Sequence, residues 1–173
     1  MSPVLIRPER PEDYDAVSTV TAAAFGRENE ARLVEALRDS DAYVPELSLV
    51  AEEDGVVVGH TMLTYSTLRG GDADRRVLVL APVSVTPSRQ NDGIGGALCR
   101  RAIELADARG EPLISVLGHA TYYPRFGFEV ARPLGIDPPV PQITDASFMA
   151  IKLSHYDPAY RGRLIYPAPF AET

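Results

Sequence analysis

Apolar residues along this chain follow two spacings, one typical of helices and one typical of strands. Residues 11–25 and 29–38 carry apolar positions three or four apart, so each stretch predicts an amphipathic helix. Residues 77–85 are apolar almost without interruption, which predicts a central strand. A third helix is predicted at residues 95–109 and closed by Gly110. The other predicted elements are strands at 4–7, 47–52, 56–67, 113–117 and 147–153, loops at 39–46 and 69–75, and a short helical turn at 121–125.

The order of these elements predicts a mixed α/β fold around a central sheet. It reads β-α-α-β-β-β-α-β-α-β, with one or more further strands before the end. The chain contains no internal repeat and no low-complexity linker. We therefore expect one domain over residues 1–153, with residues 154–173 forming a C-terminal tail packed on the same domain.

Composition narrows the class of protein further. The 173 residues are 45% hydrophobic and 24% charged, as in an ordinary globular domain, and no apolar run is long enough to span a membrane. The N-terminus lacks the pattern of a signal peptide, and Cys99 has no second cysteine to pair with, so we expect a cytoplasmic protein. The formal net charge of −7 argues against nucleic acid as a partner and favours cationic ligands.

Pro82 interrupts the predicted central strand at residues 77–85. Proline has no N–H group, so one strand hydrogen bond cannot form at this position. We expect pairing with one neighbouring strand to end near Pro82, through a bulge or a splay. The backbone groups of Val83 and Val85 would then be free to bind an extended, amide-bearing ligand such as pantetheine.

The loop from Arg89 to Gly96 joins this strand to the third helix. Its glycines let backbone N–H groups converge where the helix begins, and a helix N-terminus favours an anion such as a pyrophosphate. Arg89 is expected to add an ion pair at the rim. Strand and loop together predict a site for coenzyme A, with a simple helix-starting glycine turn as the alternative. A P-loop would need lysine and a hydroxyl residue after Gly96, and a dinucleotide fold would need glycine in place of Leu98.

These motifs resemble those of the GNAT superfamily of acyl-CoA N-acyltransferases. The resemblance covers essentially the whole chain and is closest to a bacterial subgroup with a Tyr-Tyr-x-Arg-Phe-Gly-Phe segment. It implies a central mixed sheet of about six to seven strands, with the fourth and fifth splayed apart, flanked by about four helices. The residues that carry it are Gln90-x-x-Gly93-x-Gly95, the preceding Val83-Ser84-Val85-x-Pro87, Leu117-Gly118, and Tyr122-Tyr123-Pro124-Arg125-Phe126-Gly127-Phe128.

The resemblance also implies direct transfer of an acetyl group from acetyl-CoA to a primary amine in a ternary complex. Tyr123 matches a position where the superfamily often places a tyrosine beside the CoA sulfur, and we expect it to protonate the leaving thiolate. Tyr122 is the alternative, because Pro124 disfavours the α conformation at Tyr123; in a third interpretation both rings only fill the core. The expected cofactor-binding residues are Val83, Ser84, Val85, Arg89, Gln90, Asn91, Asp92, Gly93, Ile94, Gly95, Gly96 and Tyr122, with the N–H of Val83 or Val85 as oxyanion donor.

The sequence offers several candidates for the general base. His119 directly precedes the tyrosines and is our candidate base, although an acidic residue is commoner there in the superfamily. His60 is as consistent with a structural role as with catalysis. Glu28 and Glu30 lie near the implied acceptor cleft, but fit best as exposed carboxylates at a helix start. A chain of water molecules in place of a single base is the remaining alternative.

Two other functions stay open at this point. A non-catalytic acyl-CoA-binding or sensing module would keep the strand and loop without the chemistry, and a protein acetyltransferase acting on lysine or an N-terminus would need an open peptide groove. We favour a small-molecule amine acceptor, with no metal, membrane or nucleic-acid partner. Cys99 is expected to be buried, Arg100 and Arg101 to form a solvated face or to meet a CoA phosphate, and the aromatic tail to pack on the body or to form a homodimer contact.

Overall fold

A computed structural model describes residues 2–171, so Glu172 and Thr173 of the predicted tail lie outside the described residues. Within that range, nine strands form one sheet and three α-helices pack on it, none of them long and apolar enough to cross a membrane. The helices are α1 (Tyr14–Phe25), α2 (Asn29–Arg38) and α3 (Ile94–Ala108). The strands are β1 (Val4–Pro8), β2 (Tyr43–Glu53), β3 (Val56–Arg69), β4 (Arg75–Val85), β5 (Leu113–Leu117), β6 (Glu129–Val130), β7 (Ile136–Asp137), β8 (Phe148–Lys152) and β9 (Gly162–Ile165).

The sheet is mixed, as the sequence predicted. Its main order is β1-β2-β3-β4-β5-β8-β6, and every neighbouring pair in it is antiparallel except β4 with β5. β9 pairs with β3 beyond the end of β2 and also with β7. A tight turn joins β2 to β3, and both of its residues, Asp54 and Gly55, have positive φ, as a type I′ hairpin turn requires.

The helices cover opposite faces of the sheet. On one face, α3 buries Leu98, Cys99 and Ala102 against alternate residues of β2 and β3 such as Leu49 and Leu63. On the other face, α1 and α2 bury apolar residues against Val50 and Met62, which alternate with the first set along their strands. This arrangement leaves the carboxyl end of β4 between the start of α3 and the end of α1.

Residues 43–46 were predicted as loop but belong to β2. Tyr43 pairs with Thr64 of β3, and regular pairing resumes only at Ser48. Pro45 lies in this irregular stretch, where its missing N–H breaks no regular pairing. The proline therefore marks an interruption of the strand and not its boundary.

The element counts also differ from the prediction. The helical turn expected at residues 121–125 is a single 3₁₀ turn, Tyr123–Phe126, so three α-helices are present among the described residues instead of about four. The sheet has nine strands instead of six to seven because two strands, β6 and β7, are only two residues long and β9 fills the edge of β3 that β2 leaves. Such short pairings leave no clear periodicity in the sequence.

Candidate active site

β4 and β5 separate after a short stretch of parallel pairing, which ends at Val79 and Ser115. On the other side of β4, the register with β3 shifts after Thr61, opposite Pro82. The Thr61 hydroxyl donates a hydrogen bond to the Pro82 carbonyl, at 3.0 Å. The splay predicted from Pro82 is confirmed, and it coincides with a bulge on the opposite edge of the same strand.

Beyond the splay, the backbone groups of Val83 and Val85 face the gap between the two strands. The Thr86 N–H donates to the Val58 carbonyl of β3 at 2.8 Å. Because bonded and non-bonded positions alternate in an antiparallel pair, Val83 and Val85 direct their N–H and C=O groups away from β3. The side-chain amide of Gln90 already uses this edge, donating to the Val85 carbonyl at 3.0 Å.

The loop after β4 brings a helix N-terminus to the same gap. Asn91 and Gly93 both have positive φ, and α3 begins immediately afterwards. The first N–H groups of α3 have no acceptor within the helix, so they are free for an anion. A Cβ on Gly95 would lie 3.1 Å from the Tyr122 hydroxyl and 3.7 Å from a methyl group of Val85. The missing side chain therefore keeps the space beside the helix start open.

Arg89 and Ser84 were both predicted to bind the cofactor, but in the structure each contacts other residues of the protein. The Arg89 guanidinium forms ion pairs with Glu53 at the end of β2 and with Asp92, and hydrogen bonding to these carboxylates raises the pKa of Arg89. It lines the cleft and at the same time ties the loop to the sheet. Ser84 is buried and points to the other face of the sheet, where its hydroxyl lies 3.2 Å from that of Thr21.

These parts enclose an open cleft of about 740 Å³. Of the predicted site residues, the cleft wall contains both tyrosines, His119 and most of the loop, but not Ser84 or Asp92. The residues that line it are Ala24, Phe25, Val83, Val85, Arg89, Gln90, Asn91, Gly93, Ile94, Gly95, Gly96, Arg100, His119, Tyr122, Tyr123, Arg125 and Phe126. Sequence reasoning gave no role to Ala24, Phe25, Arg125 or Phe126; only the last two stood in a motif that could have indicated one.

The two tyrosine rings meet edge to face, with their centroids 5.1 Å apart. Tyr123 packs over Gly118, where a Cβ would collide with the ring, and also meets the Phe128 ring at 5.8 Å. Burial raises the pKa of both phenols, more strongly for Tyr123. Both hydroxyls therefore remain protonated at neutral pH, which is the state that a proton donor needs.

The four residues considered as the general base lie in different surroundings in the structure. His119 is exposed and lines the cleft, one turn before the tyrosines. His60 is fully buried on the face of the sheet that α1 and α2 cover, where burial lowers its pKa to about 4. Glu30 is paired with Arg27 at 2.6 Å, and neither Glu30 nor Glu28 lines the cleft.

Cys99 does not present a nucleophile to the cleft. Its side chain is buried in the core between α3 and the sheet, and burial raises the pKa of the thiol to about 12. A thiol in this state carries almost no thiolate at neutral pH. Residues 2–171 also contain no group of histidine, cysteine, aspartate and glutamate side chains that could hold a metal ion.

Comparison with known proteins identifies the family to which this chain belongs. The family described as "Acetyltransferase (GNAT) domain" matches residues 5–131. The chain belongs to the GNAT acetyltransferase family. It is 42% identical over 117 residues to YjhQ of Escherichia coli strain K12, which is named an uncharacterized N-acetyltransferase. That match covers 68% of this chain and 65% of YjhQ, slightly less than two thirds of its length.

Two solved GNAT structures share the whole fold. The GNAT family N-acetyltransferase YhbS from Escherichia coli, in complex with CoA, has a TM-score of 0.89 and 26% identity, covering 99% of this chain and 93% of that one. A GNAT family acetyltransferase from Brucella melitensis, in complex with acetyl-CoA, has a TM-score of 0.79 and 34% identity, covering 98% and 99%. The GNAT fold predicted from the resemblance is thus confirmed, and the chain is similar to acetyltransferases whose structures contain CoA or acetyl-CoA.

Proposed function

We propose that this GNAT protein transfers an acetyl group from acetyl-CoA directly to a primary amine of a small-molecule acceptor. The observation that carries this proposal is convergence in one cleft. The open edge of β4, the N-terminus of α3 and the Tyr122–Tyr123 pair all border the same space. The CoA and acetyl-CoA bound to YhbS and to the Brucella protein support the choice of cofactor.

The cofactor is proposed to lie along the splay. Its pantetheine amides pair with the free backbone groups of Val83 and Val85, after the Gln90 side chain leaves the Val85 carbonyl. Its pyrophosphate lies on the N–H groups of residues 93–96, where the helix dipole favours negative charge. Asn91, Asp92 and Ile94 contribute through the loop backbone, because the Ile94 side chain is buried in the core and Asp92 is bound to Arg89.

The chemistry follows from what surrounds the thioester end. The amine nitrogen attacks the thioester carbonyl carbon, and the oxygen that gains charge accepts a hydrogen bond from the N–H of Val83 or Val85. His119 takes the proton that the attacking amine loses. The C–S bond then breaks, and Tyr123 gives its phenolic proton to the departing thiolate. The burial of Cys99 supports this direct route over a covalent enzyme intermediate.

The proposal also covers the domain boundaries, the cellular location and the class of acceptor. We assign residues 1–153 to the acetyltransferase domain and the following residues to a tail packed on it, supported by the pairing of β9 with β3. A cytoplasmic location is proposed because the single cysteine suits a reducing compartment. A small acceptor is favoured over a peptide.

The decisive experiment measures thiol release from acetyl-CoA over a panel of amines. The panel contains polyamines, aminoglycosides, aminoacyl compounds and lysine peptides, each with controls lacking either enzyme or amine. The proposal expects thiol release that depends on a small amine, together with one acetylated product by mass spectrometry. Tight binding of CoA with no turnover on any amine contradicts the proposal and supports an acyl-CoA-binding module. Turnover on peptides alone supports a protein acetyltransferase.

A further inference from the structure

Two arginines line the cleft and form no ion pair with any carboxylate among residues 2–171. The Arg100 guanidinium, in the second turn of α3, stacks over the Phe126 ring at 4.9 Å from its centroid. The Arg125 guanidinium stacks over the Tyr122 ring at 4.7 Å. These two rings are in edge-to-face contact, with centroids 5.2 Å apart. Two positive charges therefore border the same part of the cleft.

Both guanidinium groups are held in place before any ligand binds. Stacking on an aromatic face restricts the rotamers of an arginine and leaves its N–H edges available. Arg125 is fixed further by donating from Nε to the Tyr122 carbonyl at 3.0 Å. Arg100 Nη1 lies 3.2 Å from where a Cβ on Gly96 would stand, which brings its charge next to the start of α3.

Two neighbouring arginines form ion pairs with carboxylates, unlike Arg100 and Arg125. Arg89 lines the same cleft, but Glu53 and Asp92 already neutralise it. Arg101 follows Arg100 directly, yet it pairs with Glu104 at 3.1 Å and does not line the cleft. The lining residues include no carboxylate, although the whole chain has a net charge of −7. The cleft thus offers two unneutralised guanidinium groups to an anion.

We propose that Arg100 and Arg125 bind the 3′-phosphate on the ribose of CoA. This inference rests on the proposed function, which assigns the pyrophosphate to the backbone N–H groups of residues 93–96. CoA carries a third phosphate outside the pyrophosphate, and a guanidinium binds a phosphate through two parallel N–H···O bonds. Arg100 lies beside the first turn of α3, and Arg125 lies over the Tyr122 ring, whose hydroxyl is 3.1 Å from where a Cβ on Gly95 would stand. Arg100 and Arg125 select the phosphorylated cofactor, while the loop supplies general affinity.

The test compares CoA with 3′-dephospho-CoA by isothermal titration calorimetry. Wild type is expected to bind CoA about tenfold more tightly, or better, because charge-assisted hydrogen bonds are involved. Arg100→Gln and Arg125→Gln are each expected to reduce this preference by about threefold or more, mainly by weakening CoA. Arg101→Gln is the matched control and keeps the full preference. Arg125→Lys keeps the charge and retains part of the preference, which separates phosphate binding from support of Tyr122.

Three results would overturn the inference. One is a wild type that turns over acetyl-CoA yet binds both ligands equally, which refutes the 3′-phosphate contact and leaves the proposed function standing. Another is an equal loss of affinity for both ligands in the two glutamine variants, since that places the arginines on the pyrophosphate or in the fold. The third is a wild type that binds no CoA at all, which removes the proposed function together with this inference.

Discussion

Ionisable side chains have opposite surroundings in two regions of the molecule, a buried cluster on one face of the sheet and the open cleft at the end of β4. On the face of α1 and α2, a buried cluster joins Glu9, Arg38, Tyr43, Ser48 and His60. Arg38 and Tyr43 donate to the Glu9 carboxylate at 2.8 and 2.7 Å, and His60 Nε2 lies 3.0 Å from the Ser48 hydroxyl. At the cleft, by contrast, the tyrosine hydroxyls, two arginines and the first N–H groups of α3 face open space.

The comparison separates stability from function. Burial opposes ionisation of Glu9, but hydrogen bonds from Arg38 and Tyr43, with the charges of His60 and Arg38, hold its pKa below the ordinary value. Nearly all polar atoms of the buried cluster are satisfied internally, with His60 Nδ1 as the exception. A group whose partners are all present has little to offer a ligand. The cleft groups lack such partners, so they are the ones available for chemistry.

The largest effect is expected when the buried cluster loses its carboxylate. Glu9→Gln leaves the Arg38 guanidinium, whose side chain is 8% exposed, without a counter-charge. We expect a loss of about 3–5 kcal/mol in the free energy of unfolding, measured in urea. Glu12→Gln, whose side chain is 69% exposed, is the control and should change it by about 0.5 kcal/mol or less. Intact stability in Glu9→Gln, together with weakened CoA binding, would show that the buried cluster serves ligand binding and not the fold.

The buried cluster should also make stability depend on pH through His60. Its folded pKa of about 4 lies below the ordinary value of 6.5, so the unfolded chain binds the proton first as the pH falls. Stability is complete above about pH 6.5 and is lost towards pH 4, by about 2–3 kcal/mol from this group. Urea unfolding of wild type and His60→Gln at pH 7 and pH 4.5 checks this. Parallel losses in both proteins would show that His60 makes no such contribution.

At the cleft, removing a single polar group should lower turnover and leave the stability of the fold unchanged. Tyr123→Phe removes the proposed proton donor, and we expect kcat to fall about 100-fold with the melting temperature and CoA affinity nearly unchanged. Tyr122→Phe is the matched control and should affect CoA binding more than kcat. The reverse pattern would assign the donor role to Tyr122, and full activity in both variants would remove it from this pair.

A smaller effect is expected from filling the space beside the helix start. Gly95→Val places methyl groups where a Cβ already lies 3.1 Å from the Tyr122 hydroxyl. We expect the Kd for CoA to rise about tenfold or more through overpacking at this point. Ala108→Val, at the exposed far end of α3, is the control on helix propensity and should bind CoA normally. Equal affinity in the two variants would place CoA away from Gly95.

The sequence predicted the parts of the molecule that depend on neighbouring residues. Pro82 predicted the splay because a missing N–H acts at its own position, and the glycines of residues 93–96 predicted the loop because they act on local dihedrals. Apolar spacing placed all three α-helices to within a few residues. The assignment of individual residues to CoA and to proton transfer remains a prediction.

What the sequence did not predict depends on contacts between distant segments. The buried cluster takes Glu9 from the residue after β1, Arg38 from α2 and His60 from β3, and no local pattern links them. Arg89 could be read as a phosphate ligand because Glu53, its partner 36 residues earlier, could not be anticipated. β9 likewise depends on the edge of β3 that β2 leaves unpaired. Such pairings are decided by the assembled fold.

A crystal structure of the protein with CoA bound tests the central claim most directly. We expect the pantetheine amides to bond to Val83 and Val85, with the Gln90 side chain released from the Val85 carbonyl. We also expect the pyrophosphate on the N–H groups of residues 93–96 and the sulfur within hydrogen-bond reach of the Tyr123 hydroxyl. CoA bound elsewhere, or bound in the cleft with β4 unused and Tyr123 turned away from the sulfur, would contradict the claim.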